Sequence, residues 1–302
     1  MSCLSGAKPG KKPQFETSKL VPVPRLVFHL LLLPWAVAVC AQPPGGNLAR
    51  LTPLEGQALV DHALANELKA ALDTSHPMRY ELRKQSPRLA TTQEILETSD
   101  GDVARLIAVN DKPLSPADEQ KELARLSILS GDPGKQRHRK QAEDEDAGRA
   151  LLVLRALPSA FVYQFAGTSD GPAGAVEKFT FLPNPKFNPP NLETQALTAM
   201  SGEIWIDPEH QRVTHLEGHL QRDVDFGWGI LGRLNKGGWI VIEQADVGNG
   251  QWRIVHLKMQ MSGRVVFKTR VFDTTEDESR FAPLSVGLSY QKAIELAEND
   301  SK

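Results

Sequence analysis

The chain has 302 residues, of which 40% are hydrophobic and 24% are charged, with 35 basic and 37 acidic side chains. This composition is typical of an ordinary globular protein of one or two domains that can bury a sizeable core. A protein that binds nucleic acid needs a basic surface to neutralise phosphates, and no basic patch interleaved with aromatic residues occurs. We therefore expect no nucleic-acid partner.

The first 41 residues have the layout of a secretory signal peptide. Five basic residues precede the apolar run LVFHLLLLPWAVAV, residues 26–39, which leads into the small residues Cys40 and Ala41. The run is shorter than the roughly 20 residues that a membrane-spanning helix needs, and it contains Pro34. We expect export to the periplasm or beyond, with cleavage after Ala41; an uncleaved anchor and acylation at Cys40 are the alternatives.

Removal of residues 1–41 leaves a single domain, residues 42–302, with a different charge balance. The segment holds five of the 35 basic and one of the 37 acidic residues, so 30 basic and 36 acidic residues remain. Both cysteines, Cys3 and Cys40, lie in the segment. The remaining chain therefore has no disulfide, no thiol nucleophile and no cysteine metal site, and its stability must come from its core.

The domain begins with a helix from Thr52 to about Asp73. The sequence TPLE supplies a capping box of Thr52 and Glu55, with Pro53 in the first turn. The apolar stripe of this helix is predicted at Leu64, Leu68, Ala71 and Leu72. Alternation over residues 78–83 then predicts a half-buried strand, and TTQEILET and DVARLIAVN predict two more strands around a turn at residues 99–101.

A helical insertion is predicted at about residues 115–157. Ser115 caps its first helix, and Asp132 with Pro133 restarts a second helix after GDPG. The run KQRHRKQAEDED, residues 135–146, could be a partner site, but mixed charges at spacings of three and four residues favour a solvated helix face.

The remaining chain is predicted to be a long antiparallel meander. FVYQFA and VEKFTFLP form the first pair of strands, and a short helix, LETQALTAM, precedes two strands around residues 207–211. Asn249–Gly250 marks a hairpin between WIVIEQADV and QWRIVHLKMQM, and Ser262–Gly263 is predicted to turn the chain again into RVVFKTRVF. A final helix, YQKAIELAE, closes the chain.

This order predicts an α+β fold with a curved antiparallel β-sheet, a half-barrel meander covered by helices on one face. The order of elements also shows whether Gly227, Gly229 and Gly232 could form a dinucleotide-binding loop, since they match its G-x-G-x-x-G spacing. That motif needs a strand before it and a helix after it, whereas here a turn leads into another strand. We expect no nucleotide and no other cofactor to bind.

No catalytic or metal centre is indicated either. His215, Glu217 and His219 alternate along one strand face, but the two histidines are about 13 Å apart along an extended strand, too far to share one metal comfortably. No G-x-S-x-G, H-E-x-x-H or phosphate-loop pattern occurs. We therefore expect a protein that is not an enzyme.

An apolar strand face is the best candidate for ligand binding. The candidate residues on it are Val255, Leu257, Met259, Met261, Val265 and Phe267, with Val271 continuing the face, and Trp228 and Ile230 contribute from the glycine-rich bend. Methionine is pliable and suits adaptable apolar surfaces. Every half-buried sheet also needs such a face for packing, so a fully plugged sheet remains the alternative.

The stretch GEIWIDPEHQRVTHLEG resembles a recurrent unit of the outer-membrane lipoprotein-sorting family of periplasmic carriers. In this unit a strand ends in an acidic residue, here Asp207, and a second strand leaves after a turn, here Arg212 to Leu220. In element order the resemblance covers about Met78 to Val271, and the insertion at 115–157 has no clear counterpart. The mature chain also resembles uncharacterised exported bacterial proteins.

The resemblance implies a half-barrel whose concave apolar face holds acyl chains. It favours a periplasmic carrier or chaperone for lipid or lipoprotein, a monomer that contacts the membrane only transiently. A non-enzymatic periplasmic scaffold or sensor with a plugged sheet is the second hypothesis, and a hydrolase is the third.

Export makes a direct prediction about the mature protein. Because the signal peptide is removed, the protein isolated from its host should begin near Gln42. N-terminal sequencing checks this, and retention of residues 26–39 would show that the segment is an anchor.

Overall fold

The computed structural model describes residues 51–226, 232–265 and 268–299, together with their side chains except that of Val265. The predicted signal peptide and the candidate ligand-binding residues Trp228, Ile230 and Phe267 lie outside the described residues.

Five α-helices occur in the described ranges. They are α1 (Pro53–Leu72), α2 (Pro116–Ser130), α3 (Pro133–Ala160), α4 (Leu192–Gln195) and α5 (Tyr290–Asn299), and a 3₁₀ turn, Ala196–Ala199, follows α4. The capping box at Thr52 and Glu55 is confirmed, and the hydroxyl of Ser115 and the carboxylate of Asp132 cap α2 and α3 as predicted. No helix within these ranges is both long and apolar enough to span a membrane.

The same ranges contain thirteen β-strands. They are β1 (Met78–Gln85), β2 (Ala90–Leu96), β3 (Val103–Val109), β4 (Lys112–Pro113), β5 (Phe161–Gly171), β6 (Gly174–Pro183), β7 (Met200–Asp207), β8 (Arg212–Leu220), β9 (Val224–Phe226), β10 (Gly232–Leu234), β11 (Trp239–Asp246), β12 (Trp252–Val265) and β13 (Lys268–Pro283). Asn249 and Gly250 adopt positive φ between β11 and β12, so the predicted hairpin is confirmed.

All strands belong to one antiparallel sheet that is not closed into a barrel. Its order is β4-β3-β2-β1-β13-β12-β11-β8-β7-β6-β5, and β10 joins from outside this path by pairing with β12 and β9. Most neighbours are consecutive in the chain, but β1 pairs with β13, and β8 pairs with β11. The predicted α+β antiparallel fold is confirmed.

One contact shows that the sheet is curved. Arg253 on β12 donates hydrogen bonds of 3.2 and 3.3 Å to the carboxylate of Glu97, at the end of β2, although β13 and β1 lie between the two strands. In a flat sheet three strand spacings would separate the two backbones by about 14 Å, which the side chains could bridge only if both lay fully extended along the sheet surface. The sheet therefore bends toward the face that carries both residues.

This face, here called the inner face, is covered by α1 and the end of α3 at one end of the sheet. The register aligns Phe179, Ile204 and Leu216 across β6, β7 and β8, and α1 packs on them. The core also includes Val60, Ala63, Leu64, Ala156, Ala160, Phe161 and Phe181.

The predicted stripe of α1 is wrong at its end, because Leu72 is 52% exposed and the last turn extends past the apolar core.

A second core lies at the other end of the sheet, where α2 and α5 pack on β2 and β3. Its buried members are Leu96, Val103, Leu126, Leu129, Tyr290, Ala293, Ile294 and Ala297. The register pairs Leu96 with Arg79, which shares its side of β1 with Arg83, the partner of Asp277. These residues belong to the outer face, so α2 and α5 cover that face at this end.

The charged run of α3 is mostly exposed, as predicted. Lys140 pairs with Asp144, and Gln141 donates to Glu145, each four residues apart. Gln136 departs from the pattern, because it is buried and donates to the carbonyl oxygens of Asp100 and Gly101.

The predicted turn at Ser262–Gly263 is wrong. Strand β12 continues through both residues to Val265, which pairs with Lys268. Gly263 also pairs with Leu234 of β10, and a Cβ atom at Gly263 would lie 2.5 Å from the carbonyl oxygen of Arg233. Glycine therefore allows a close backbone approach here. Val265 therefore belongs to β12 and not to the next strand. Val271 lies on β13 and is 67% exposed.

Two glycines predict opposite effects on stability. A Cβ atom at Gly202 would overlap the backbone carbonyl of Glu217 on the neighbouring strand, so Gly202→Ala should cost about 1–3 kcal/mol of unfolding free energy. Gly148 lies inside α3 with no atom within 4 Å of an added Cβ, so Gly148→Ala should stabilise by up to about 1 kcal/mol. Urea unfolding measures both; equal effects would contradict the register of β7 and β8.

Candidate ligand-binding face

The predicted binding residues of β12 lie on the inner face where the structure describes them. Leu257, Met259 and Met261 are half-buried, whereas the intervening Lys258 and Gln260 are exposed. Val255 is also half-buried, at a β-bulge opposite Glu243 and Gln244.

The register brings further apolar residues beside them. Ile242 pairs with Leu257, and Ile240 pairs with Met259, so four side chains form one patch on two adjacent strands. We call Ile240, Ile242, Leu257 and Met259 the inner strip. Met261 lies beyond the strip, and both it and Ile240, at that end of the strip, pack against the core beneath α1. Sequence reasoning missed Ile240 and Ile242, because only the β11–β12 pairing shows that they belong to this face.

The inner strip lies between the two helix-covered ends of the sheet. Helix α1 packs on β5, β7 and β8, while α2 and α5 pack on β2 and β3. Within the described ranges, no helix makes a comparably extensive contact with β11, β12 or β13. The strip is therefore only half-buried, although its side chains are apolar.

Strand β13 places polar groups beside the strip. Leu257 pairs with Glu276 and Met259 with Thr274, so these residues and Glu278 face inward. Glu276 forms an ion pair with Lys84 at 2.6 Å. The hydroxyl oxygen of Thr274 is buried with no hydrogen-bond partner in the described part of the chain.

The pKa of Glu278 is raised to about 7, because burial removes water from the carboxylate and Glu276 adds repulsion that Arg253 only partly offsets. A carboxyl group there can carry a proton near neutral pH. The sequence signal was the run TTEDES, but alternation alone could not show which of its acids face inward.

Polar residues also gather on β1 and near the end of β2. Tyr80 stacks on Phe281 with ring centroids 5.4 Å apart, and burial raises the pKa of its hydroxyl. Burial and the nearby carboxylates of Glu143 and Glu97 raise the pKa of Asp102 to about 6. The inner face is therefore apolar along β11 and β12 and polar in this region.

The residues His215, Glu217 and His219 lie on the outer face. The Nε2 atom of His219 is 2.7 Å from Glu217 Oε1, whereas His215 Nε2 is 3.8 Å from Glu217 Oε2. The ring of His215 instead packs on Trp205, with centroids 4.4 Å apart. In the described residues, no group of three or more His, Cys, Asp or Glu side chains could hold a metal ion.

Comparison with known proteins gives distant structural neighbours. One is a domain assigned as an outer membrane lipoprotein-sorting protein from Vibrio parahaemolyticus, with 12% identity and a TM-score of 0.28 over 77% of this chain and 97% of that chain. Another is a DUF1329 family protein from Desulfovibrio piger, with 13% identity and a TM-score of 0.26 over 77% and 94% of the two chains. No family model matches the chain, and no curated protein matches it significantly.

The half-buried carboxyl of Glu278 makes stability depend on pH. Its pKa rises from 4.5 to about 7 on folding, so the folded state holds more protons between these values. Stability from this group is fully present below about pH 4.5 and is lost as pH rises through about 7; a pKa unit corresponds to about 1.4 kcal/mol, so the total loss is about 3–4 kcal/mol. Glu278→Gln should flatten this fall, measured by urea unfolding at pH 5 and pH 8. An unchanged fall would contradict the burial of Glu278.

Proposed function

We propose that this protein is a non-catalytic, exported carrier that binds the acyl chain of a lipid or lipoprotein along the inner strip. The observation that carries the proposal is the inner strip itself, a half-buried apolar patch between the two ends of the sheet that the described helices cover. An apolar patch in this position is a natural contact surface for a ligand.

The strip has the chemistry that an acyl chain needs. Each methylene group that leaves water for an apolar surface contributes about 0.8 kcal/mol, so a long chain binds by its length and needs few polar contacts. Ile240 and Ile242 are stiff at χ1, whereas Met259 has several rotatable bonds and adapts to irregular ligands. A sheet that bends toward this face would contact a bound chain on more than one side.

The second candidate is a scaffold that binds protein through its outer face. One pair of residues favours it: Val162 and Leu182 are cross-strand neighbours on β5 and β6, and they are 49% and 58% exposed. In that function the inner strip would serve only for packing.

A pair of neighbouring substitutions tests the carrier. Leu257→Asp places a charge on the inner strip, where an unpaired carboxylate opposes an apolar ligand, and it should abolish uptake of a fluorescent fatty acid. Lys258→Asp changes the exposed neighbour on the outer face and should leave uptake nearly intact. Titration followed by fluorescence measures both.

A conservative variant separates binding from folding, because Leu257→Asp also destabilises the fold by several kcal/mol if the strip is packed. Met259→Leu conserves volume and should cost less than about 1.5 kcal/mol of unfolding free energy, with uptake retained. If the folded wild-type protein shows no saturable uptake of fatty acid or lipopeptide, the carrier hypothesis is wrong and the scaffold hypothesis replaces it.

A further inference from the structure

A cleft of about 350 Å³ lies at the end of α1, where this helix meets the turns of the β7–β8 and β11–β12 hairpins. Basic side chains dominate its wall: Lys69, His76, His210, Arg212 and Arg253 line it, against the single carboxylate of Asp73. We call it the basic cleft. No local pattern in the sequence indicated it, because its residues come from three separate segments of the chain.

The carboxylates that orient the arginines lie behind the wall. Buried Glu67 accepts from Nε and Nη2 of Arg212 at 2.9 and 2.8 Å, and it also accepts from the backbone nitrogen of Val213. This two-pronged contact fixes the guanidinium plane. The Nη1 atom of Arg212 makes no hydrogen bond within the described residues, and its donors stay available.

His76 contacts Asp73 within the wall, where Nδ1 and Oδ2 are 3.1 Å apart. Two further basic side chains are held from behind the wall. Arg253 is held by Glu97 from the inner face, and buried Asp207 contacts Nδ1 of His210 at 2.9 Å. Lys69 is exposed on the last turn of α1 and forms no ion pair in the described part of the chain. The cleft thus presents oriented donors and one unneutralised ammonium group, a constellation that recognises a small oxyanion.

The cleft adjoins the inner strip. Arg253 lies four residues before Leu257 on β12, so their Cα atoms are about 13 Å apart along the strand. One amphiphile could therefore place its head in the cleft and its chain on the strip.

We propose that the basic cleft binds the anionic head group, phosphate or carboxylate, of the ligand whose acyl chain lies on the inner strip. This inference rests on the proposed carrier function. It assigns the ligand to the anionic amphiphiles, and it makes Lys69, Arg212 and Arg253 the residues that recognise the head.

The test compares two exposed lysines under the same change of net charge. Lys69→Glu alters the cleft, and Lys258→Glu alters the outer face as a matched control. Calorimetric titration with dodecyl phosphate, dodecanoate, neutral 1-dodecanol and inorganic phosphate separates the contribution of the head group to binding from that of the acyl chain. We expect Lys69→Glu to lower the affinity for both anionic amphiphiles at least tenfold and the affinity for 1-dodecanol less than twofold. Lys258→Glu should leave all three affinities near the wild-type values.

The outcomes distinguish failure of this inference from failure of the carrier. Equal effects of the two substitutions, or equal affinity of the wild-type protein for 1-dodecanol and dodecyl phosphate, would contradict the proposed head-group site but not the carrier function. Absence of binding by every amphiphile would overturn both. Inorganic phosphate that binds as tightly as dodecyl phosphate would make the cleft a site for the free anion, and the head-group assignment would be wrong.

Discussion

The pairing of β1 with β13 is the constraint on which the rest of the structure depends. It joins Met78–Gln85 to Thr275–Pro283, segments about 200 residues apart, and so makes one sheet from strands at the two ends of the chain. Without these hydrogen bonds, β1–β4 would separate from the meander of β5–β13. The same pairing lets the sheet curve until Arg253 reaches Glu97, and the basic cleft and the inner strip share this curved corner.

The uneven distribution of the helices decides which part of the sheet is only half-buried. Helix α1 buries the inner face over β5, β7 and β8, whereas α2 and α5 bury the outer face of β2 and β3. Each end thereby gains a dry core, because an apolar sheet face must be covered to remove it from water. The middle strands receive no comparable cover from the described helices, and their inner residues remain half-buried.

Charged groups mark the borders of the inner strip. Glu276 and Glu278 flank it on β13, and the raised pKa of Glu278 reduces the charge that it presents to the strip near neutral pH. At the other border, buried Glu67 and Asp207 hold Arg212 and His210 toward the basic cleft. Burying a carboxylate that pairs with a basic side chain costs desolvation free energy, so such pairs contribute little net stability. Their main effect is to orient the basic side chain.

The sequence by itself determined the local structure: the caps at Thr52, Ser115 and Asp132, the Asn249–Gly250 hairpin and the alternation along β12 follow from side chains acting on their own backbone. It misassigned Ser262–Gly263, where the reason for glycine is the approach of β10. Only the tertiary structure decided that Ile240 and Ile242 join Leu257, that Glu278 is half-buried, and that Lys69, Arg212 and Arg253 line one cleft. These relations depend on strand order and sheet curvature, which arise from pairings between distant segments that no local pattern encodes.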